Sequence, residues 1–500
     1  MKIAYFLDNQ EHLGGAGNLL LQYARLMSNY HDIIVIIPVN EDGSKNEEYV
    51  SRCETYGIKY SFLPYRTAYN FEVVDIIRAS EQYHCISDFL KKELIELVHY
   101  VQLNATVELA ARENGIPTLM SVFQLKNEEF KLKCGDLFSK YHLCDSNRYS
   151  RAWEKYAGVV SECIRPISPI DDFLVNTEEE FEQLTFLVLG RVCTRKNQLA
   201  ALKIIGKLNK EYPVKLIIAG ELIEAYSEEC QDYVRNNNLT DIVEFRDFVS
   251  DIDGLMAESD CLLSCSLDES FPTSIVEAVS YGLDIVTTPA GGISEVFHNK
   301  ENAFVSDGFS DDDIEKNIRE YIKCYKKGLL SGIRAAAHQT WCDNFSKTVI
   351  YKKLDGYYRE VLAGEREYSI DVKTIDAVKI FYDRFLSVNN ELSFFKDRIL
   401  YFYIFFSEFT AKKVYIWGAG KYGKYALECV TKLFSNVNVI AFLDANKTGK
   451  YLDHNIVDPR SADYSSVDGI IVAYAGDATE TIDFLEKQGF SLHESIMLFR

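Results

Sequence analysis

The chain has 500 residues, 47% of them hydrophobic, with 30 Phe and 32 Tyr; that is too many for one core and enough for about three domains. The formal net charge of −21 repels nucleic-acid phosphate and argues against a nucleic-acid binder, while leaving room for a local basic pocket around one phosphorylated ligand. The 12 Cys are scattered without a C-x-x-C pair, so buried free thiols in a reducing cytoplasm fit better than disulfides or a zinc ribbon.

The opening, Met1 to Asp8, meets an acid after one short apolar run and reads as a first strand rather than a signal peptide. Further short runs predict strands at Ile33–Ile37, Lys59–Leu63, Ile95–His99, Thr118–Val122 and His142–Cys144, with helical patterns at Asn18–Met27 and Ala105–Asn114. This βαβ alternation over residues 1–165 implies a parallel sheet. Gly14, Gly15 and Gly17 follow the first strand, where they either let a ligand approach the backbone or simply form the turn into the helix. His99 closes its predicted strand at the cleft edge, as a ligand-facing group or as a structural histidine. The segment Arg165-Pro166-Ile167-Ser168-Pro169 reads as a linker.

A second alternating series follows, with strands predicted at Thr185–Leu189, Lys215–Ala219, Val243–Arg246, Cys261–Cys265 and Asp284–Thr287. Helices are predicted at Gln198–Asn209, Ser227–Asn236, Ile252–Glu258 and Ser274–Tyr281. Two such units in tandem leave a cleft, and open parallel sheets bind ligands beyond the carboxyl ends of their strands. Two motifs fall there. Gly190-Arg191-Val192-Cys193-Thr194-Arg195-Lys196 offers cations to a diphosphate, with Arg191 and Lys196 the candidates. In Asp268-Glu269-Ser270-Phe271-Pro272-Thr273-Ser274-Ile275-Val276-Glu277, Glu269 suits the hydroxyls of a sugar and Glu277 suits a ribose cis-diol. The backbone N–H groups of Thr273 and Ser274 open the helix between them and can meet a phosphate. Together these residues read as a nucleotide-sugar site. Taken singly, the first motif is also an ordinary basic turn, Glu277 an exposed helix acid and Glu269 an acid in a turn. Asp251-Ile252-Asp253 has the D-x-D form of some metal sites, but it begins an amphipathic helix and reads as an N-cap, so no metal is assigned.

From about residue 345 to 408 the pattern is helical and aromatic. Ile399 to Phe406 is apolar but too short to span a membrane, and is either a packed helix or a membrane or partner contact. Then Gly418, Gly420 and Gly423 follow a strand, and Asp444 ends the next one; the spacing fits a dinucleotide or nucleotide-sugar fingerprint. This unit has only about half the length of a dinucleotide fold and no Tyr-x-x-x-Lys pair, so a binding or regulatory module, a structural or oligomerising one, and an enzyme all stay open.

These motifs resemble the retaining glycosyltransferases of family 4. The matching residues, in order, are Gly14-Gly15-Ala16-Gly17, Gly190-Arg191 with Lys196, the E-x7-E pair Glu269 and Glu277, and Pro289-Ala290-Gly291-Gly292-Ile293-Ser294-Glu295. The chain departs from that family at Phe123-Gln124, where a His-Asp pair is usual, and at Gly282-Leu283-Asp284, where G-x-P is usual. The resemblance implies an α/β GT-B fold of two facing Rossmann-like domains, 1–165 on the acceptor side and 166–350 on the donor side. A helical linker (351–410) and a small Rossmann-like unit (411–500), similar to those of bacterial sugar-modifying proteins, complete the chain. It implies transfer with retention from a UDP- or GDP-linked sugar to a hydroxyl of a glycan or lipid-linked glycan, without cofactor or essential metal, in bacterial surface polysaccharide synthesis. His99 would lie near the transferred sugar, Gly291 and Gly292 near the nucleotide, and Glu295 on the nucleotide or on a helix end. A cytoplasmic protein, peripheral at the inner membrane face or self-associating through its C-terminal region, is consistent with this. So are a sugar-nucleotide-binding regulator without turnover and a GT-B-fold sugar-nucleotide epimerase.

Overall fold

The structure, a computed structural model, describes residues 1–9, 15–40, 42–67, 76–123, 138–173, 183–222, 224–247, 249, 251–364, 372–399, 402–403, 411–434, 436–476, 478–492 and 494–499. The first lobe contains β1 (Lys2–Phe6), α1 (Gly15–Met27), β2 (Asp32–Pro38), α2 (Glu47–Tyr56), β3 (Lys59–Leu63), α3 (Ile76–Lys92), β4 (Leu97–Val101), α4 (Ala105–Glu113), β5 (Thr118–Ser121), β6 (Tyr141–Cys144), α5 (Asn147–Ala157) and β7 (Val160–Cys163). Its strands pair in parallel in the order β3-β2-β1-β4-β5-β6-β7. Runs such as Ile33–Ile37 are apolar on both faces because helices cover both sides of a parallel sheet. The edge strand β7, Val160-Ser161-Glu162-Cys163, has no apolar run to announce it, and the sequence reading lacks it.

The second lobe contains β8 (Leu184–Leu189), α6 (Gln198–Leu208), β9 (Val214–Ala219), α7 (Glu224–Asn236), β10 (Val243–Arg246), α8 (Ile252–Ala257), β11 (Cys261–Ser264), α9 (Thr273–Ser280), β12 (Asp284–Thr287), β13 (Phe304–Val305), α10 (Asp311–Lys326) and α11 (Ser331–Asn344). Its sheet order is β10-β9-β8-β11-β12-β13, again parallel. Asp284, the departure from G-x-P, is buried at the start of β12, where Arg334 of α11 donates to both its carboxylate oxygens at 3.0 and 2.8 Å. That departure is structural. The chain crosses between lobes twice in neighbouring places, with the Ser168 N–H donating to the Phe345 carbonyl at 2.9 Å.

After the second crossing, α12 (Lys347–Ala363) returns to the first lobe. Ile350, Leu354, Tyr357, Tyr358 and Val361 join its core, so this stretch belongs to the lobe and is more than a linker. The expectation for His99 is corrected here. β4 runs on to Val101, which places His99 in the middle of the strand rather than at its end. The ring is fully buried, with Nδ1 on the Tyr358 hydroxyl at 2.8 Å and Nε2 on the Ser121 hydroxyl at 2.7 Å. Burial pushes its pKa down to about 3. His99 is a neutral core residue under α12 and does not reach the cleft.

Next come α13 (Val372–Val388), β14 (Lys413–Trp417), α14 (Lys421–Leu433), β15 (Asn438–Leu443), β16 (Gly449–Tyr451), β17 (His454–Val457), β18 (Gly469–Val472), α15 (Thr479–Lys487) and β19 (Ile496–Leu498). The third sheet has the order β16-β17-β15-β14-β18-β19, parallel except for the β16–β17 hairpin. It shares one core with the first lobe: Tyr83 and Leu90 of α3 and Phe385 of α13 lie in the same apolar cluster as Ile416 and Tyr425. The described part of the apolar stretch 399–406 is packed into that core. Ile399 and Phe402 are fully buried, and Phe402 stacks on Phe499 with ring centroids 4.9 Å apart; residues 400–401 and 404–406 lie outside the described residues. Among the described residues no helix is long and apolar enough to cross a membrane.

Candidate nucleotide-sugar site

The carboxyl ends of both large sheets meet. Asp145 and Ser146 follow β6 of the first lobe. Ser270 follows β11 and Gly292 follows β12 of the second. Asp145 accepts a hydrogen bond from the Ser270 hydroxyl, and a Cβ on Gly292 would stand 2.7 Å from the Ser146 Cβ.

Within the second lobe, β8 ends at Leu189 and the chain turns through Gly190 into a single 3-10 turn, Thr194–Lys196. That turn aims two cations at one carboxylate. Arg195 Nη1 lies 2.6 Å from Glu269 Oε2, and Lys196 Nζ lies 2.6 Å from Glu269 Oε1. Burial raises the Glu269 carboxyl, but Lys196 and Arg195 outweigh it and hold the group below the usual carboxylate range. Glu269 is therefore an anion at neutral pH, with its two cations poised for a competing anion. Lys196 and Ser274 also share a small hollow over the ends of β8 and β11. Ser274 and Thr273 open α9, where helix N–H groups lack intrahelical partners.

Glu277 sits half-buried one turn further along α9. Burial raises its carboxyl, while Arg52 of α2 and Lys196 act against that rise. The Arg52 effect comes from the first lobe, so Glu277 faces the cleft. Lys196, Glu269, Glu277, Thr273 and Ser274 are thus brought together.

Arg191 is not in this group. Its guanidinium is half exposed and donates to Glu221, beyond β9, at 2.8 Å. Arg195 takes the place expected of it. The sequence signal for Arg195 is its position next to Lys196: a 3-10 turn can present both side chains to one partner.

Gly291 and Gly292 shape the loop under Glu269 rather than reaching outward. Gly291 has φ +60°, and a Cβ there would collide with the carbonyls of Glu269 and Ser270. The Gly292 N–H donates to the Ser270 carbonyl at 2.8 Å. Glu295 resolves to the helix end: it accepts the N–H groups of Asn147 and Arg148 at 2.9 Å each, at the start of α5 in the opposite lobe. In the first lobe, a Cβ on Gly17 would collide with the Tyr49 hydroxyl, so that glycine is fixed by packing. Gly15 is exposed, and Gly14 lies outside the described residues, as does Gln124. Asp251 caps α8 by accepting the Gly254 N–H at 3.0 Å, as its position suggests. Among the described residues no cluster of His, Cys, Asp and Glu could hold a metal ion.

In the third unit, Gly418 has φ +119° and packs against the Ala473 carbonyl, while a Cβ on Gly423 would strike the Gly418 carbonyl. Both are required by the strand–turn–helix itself. A Cβ on Gly420 would stand 4.0 Å from Lys447 Nζ, an ordinary contact. Asp444 turns back on the turn, accepting the Ala419 N–H at 3.2 Å and the Asn446 N–H at 2.9 Å. The Tyr451 hydroxyl donates to the Gly420 carbonyl at 3.1 Å. Each glycine and the acid thus has a structural task here.

Two facing parallel α/β lobes with the cleft at their strand ends define the GT-B fold. A glycosyltransferase from Rickettsia africae ESF-5 superposes with a TM-score of 0.58 at 18% identity, over 73% of this chain and 99% of that one. Anabaena Alr3699/HepE in complex with UDP superposes with a TM-score of 0.58 at 17% identity, over 72% of this chain and 100% of that one. Residues 172–335 match the family Glycosyl transferases group 1, so the second lobe carries a domain of that kind, with Arg195, Lys196, Glu269 and Glu277 inside it. Among curated proteins, the chain is 28% identical over 206 residues to the phosphatidylinositol N-acetylglucosaminyltransferase GPI3 subunit of Saccharomyces cerevisiae, covering 41% of this chain and 43% of that protein. It is 32% identical over 146 residues to a phosphatidylinositol N-acetylglucosaminyltransferase component from Homo sapiens, 28% of each. The chain thus spans less than half the length of these relatives.

Proposed function

We propose that this chain is a glycosyltransferase that moves a sugar from a nucleoside diphosphate donor to a hydroxyl of a glycan or glycolipid, with retention at the anomeric carbon and without a metal ion. The observation that carries this reading is the pair of cations, Lys196 and Arg195, held on Glu269 beside Glu277 in the segment that matches the family. The diphosphate would take the two cations and the N-terminus of α9. Glu269, released from them, would accept hydroxyls of the transferred sugar, and Glu277 those of the ribose.

As the glycosidic bond breaks, the departing diphosphate gains negative charge, which fixed cations in a cleft stabilise more in the transition state than in the ground state. A donor phosphate oxygen is itself a base next to the reacting carbon. Front-face attack, with that oxygen taking the acceptor's proton, needs no protein nucleophile. The Anabaena structures hold UDP and UDP-glucose, which supports a nucleotide-sugar donor. The names of the yeast and human relatives support an N-acetylhexosamine donor and a lipid-linked acceptor. A surface-polysaccharide role and a peripheral place at the membrane rest on the same analogy. The third unit is read as a binding or docking module on its strand–turn–helix motif alone.

Released nucleotide, measured with a panel of nucleotide sugars and glycolipid acceptors, tests the reading. Lys196→Ala and Glu269→Ala, in protein shown to be folded, should each lower turnover on the order of a hundredfold. Undiminished turnover would reject these roles. Tight donor binding without release under any acceptor would favour a regulator instead.

A further inference from the structure

Asp145 lies directly after β6, 3% exposed, at the junction of the lobes. The sequence reading passed over it, although it is an acid just past an apolar strand, the same placement that singled out Glu269. Its carboxylate accepts the hydroxyl of Ser270, itself 7% exposed, and its main-chain carbonyl accepts from Arg165 Nη1 at 2.6 Å. The same guanidinium bonds Glu295 through Nη2 and stacks over the Phe271 ring, 4.9 Å from its centroid. Arg165 therefore spends its hydrogen bonds on a carbonyl and on Glu295, and leaves the Asp145 carboxylate to Ser270.

Ser270 is consequently held from two sides. Gly292 of its own lobe fixes its carbonyl, and Asp145 of the opposite lobe fixes its side chain. Ser270 directly follows Glu269, and Gly291 packs against the carbonyls of both. A residue pinned at side chain and carbonyl fixes the direction of the residue before it. One contact between the lobes thus falls on the turn that carries Glu269.

We propose that Asp145 is a positioning residue that reaches across the lobe junction and, through Ser270, sets Glu269 for the transferred sugar. This rests on the reading of Glu269 as a sugar ligand. Asp145 touches neither sugar nor phosphate in this scheme. Its influence should appear in the affinity for the sugar part of the donor and not in the affinity for the nucleoside diphosphate, which Lys196, Arg195 and Glu277 hold.

Calorimetric titration separates the two parts. UDP and GDP, and their glucose-, N-acetylglucosamine- and mannose-linked forms, are titrated into the full chain. With the best-binding pair, Asp145→Ala and Ser270→Ala should each weaken the nucleotide sugar about tenfold and leave the nucleoside diphosphate within about twofold. The double variant should be no worse than either single one, because both remove the same contact. Asp145→Asn keeps an oxygen that accepts the Ser270 hydroxyl and should restore most of the sugar affinity. If Asp145→Ala fails to fold, Ser270→Ala, which removes only one oxygen, decides the matter alone. Equal weakening of both ligands, or no change in either, overturns the role of Asp145 and leaves the donor site standing. A wild-type chain that binds none of these ligands overturns the donor site and the Asp145 assignment together.

Discussion

At the scale of single residues, charge in a low-dielectric junction decides what the site can do. Burial pushes the Asp145 carboxyl up to about 7; the Ser270 hydrogen bond and Arg165 act against that rise, and Glu269 adds to it. Tyr23 of α1, Tyr149 of α5 and Cys163 of β7 also face it. The folded chain therefore holds this proton in a range where the unfolded chain has lost it. Its stabilising contribution is complete below the ordinary carboxylate pKa and is lost as pH rises towards about 7, by up to roughly 4 kcal/mol. His99 and His142, each pushed down to about 3 by burial, have the opposite slope as neutral core imidazoles. The difference between wild type and Asp145→Asn isolates the carboxyl: denaturant titrations from pH 4 to 7 should show wild-type stability falling relative to the variant, and parallel curves would contradict the buried acid. Sequence alone indicates that an acid follows β6, but not that Arg165 beside it bonds a carbonyl and Glu295 instead of its carboxylate. Glu269 was legible because its motif is ordered relative to other motifs, whereas His99 was misplaced because the strand's end was drawn two residues early.

At the scale of elements, helix ends join the lobes. The first N–H groups of α5 have no partners within the helix, and Glu295, on the turn after β12, meets two of them from the opposite lobe. Ser146 caps the same helix from its own side, accepting the Tyr149 N–H at 3.3 Å. Removing Glu295 takes an acceptor from those donors, which lie at an exposed helix start, and from the buried Arg165 guanidinium. Glu295→Ala should cost roughly 1–3 kcal/mol in denaturant unfolding. Glu295→Gln, which keeps one acceptor oxygen, should cost less than half of that. A loss below about 0.5 kcal/mol would show the cap to be a surface contact only. From sequence this glutamate fitted either a nucleotide or a helix, since the helix lies about 150 residues away and no local pattern joins the two. The elements themselves were easier to read: β3, β10 and β12 have the predicted bounds because short apolar or alternating runs between turn residues mark them. The polar edge strand β7 and the two-residue β13 have no such run.

At the scale of the whole molecule, the first lobe and the third sheet share one core, while the second lobe has cores of its own. α12 closes the first lobe after the chain has already built the second, and α13 joins α3 to the third sheet through Phe381 and Phe385. Alternating strand and helix patterns foretold two parallel sheets and a third α/β unit, but long-range packing of this kind leaves no periodic trace. The central claim is that the cleft between the lobes grips a nucleoside diphosphate sugar mainly from the second lobe. A crystal structure of the full chain soaked with the tightest-binding nucleotide sugar tests it most directly. The account predicts the diphosphate on Lys196, Arg195 and the start of α9, the ribose on Glu277 and the sugar on Glu269, with the Lys196–Glu269 pair opened. A ligand lodged elsewhere, with Lys196 and Arg195 still closed on Glu269, would contradict it.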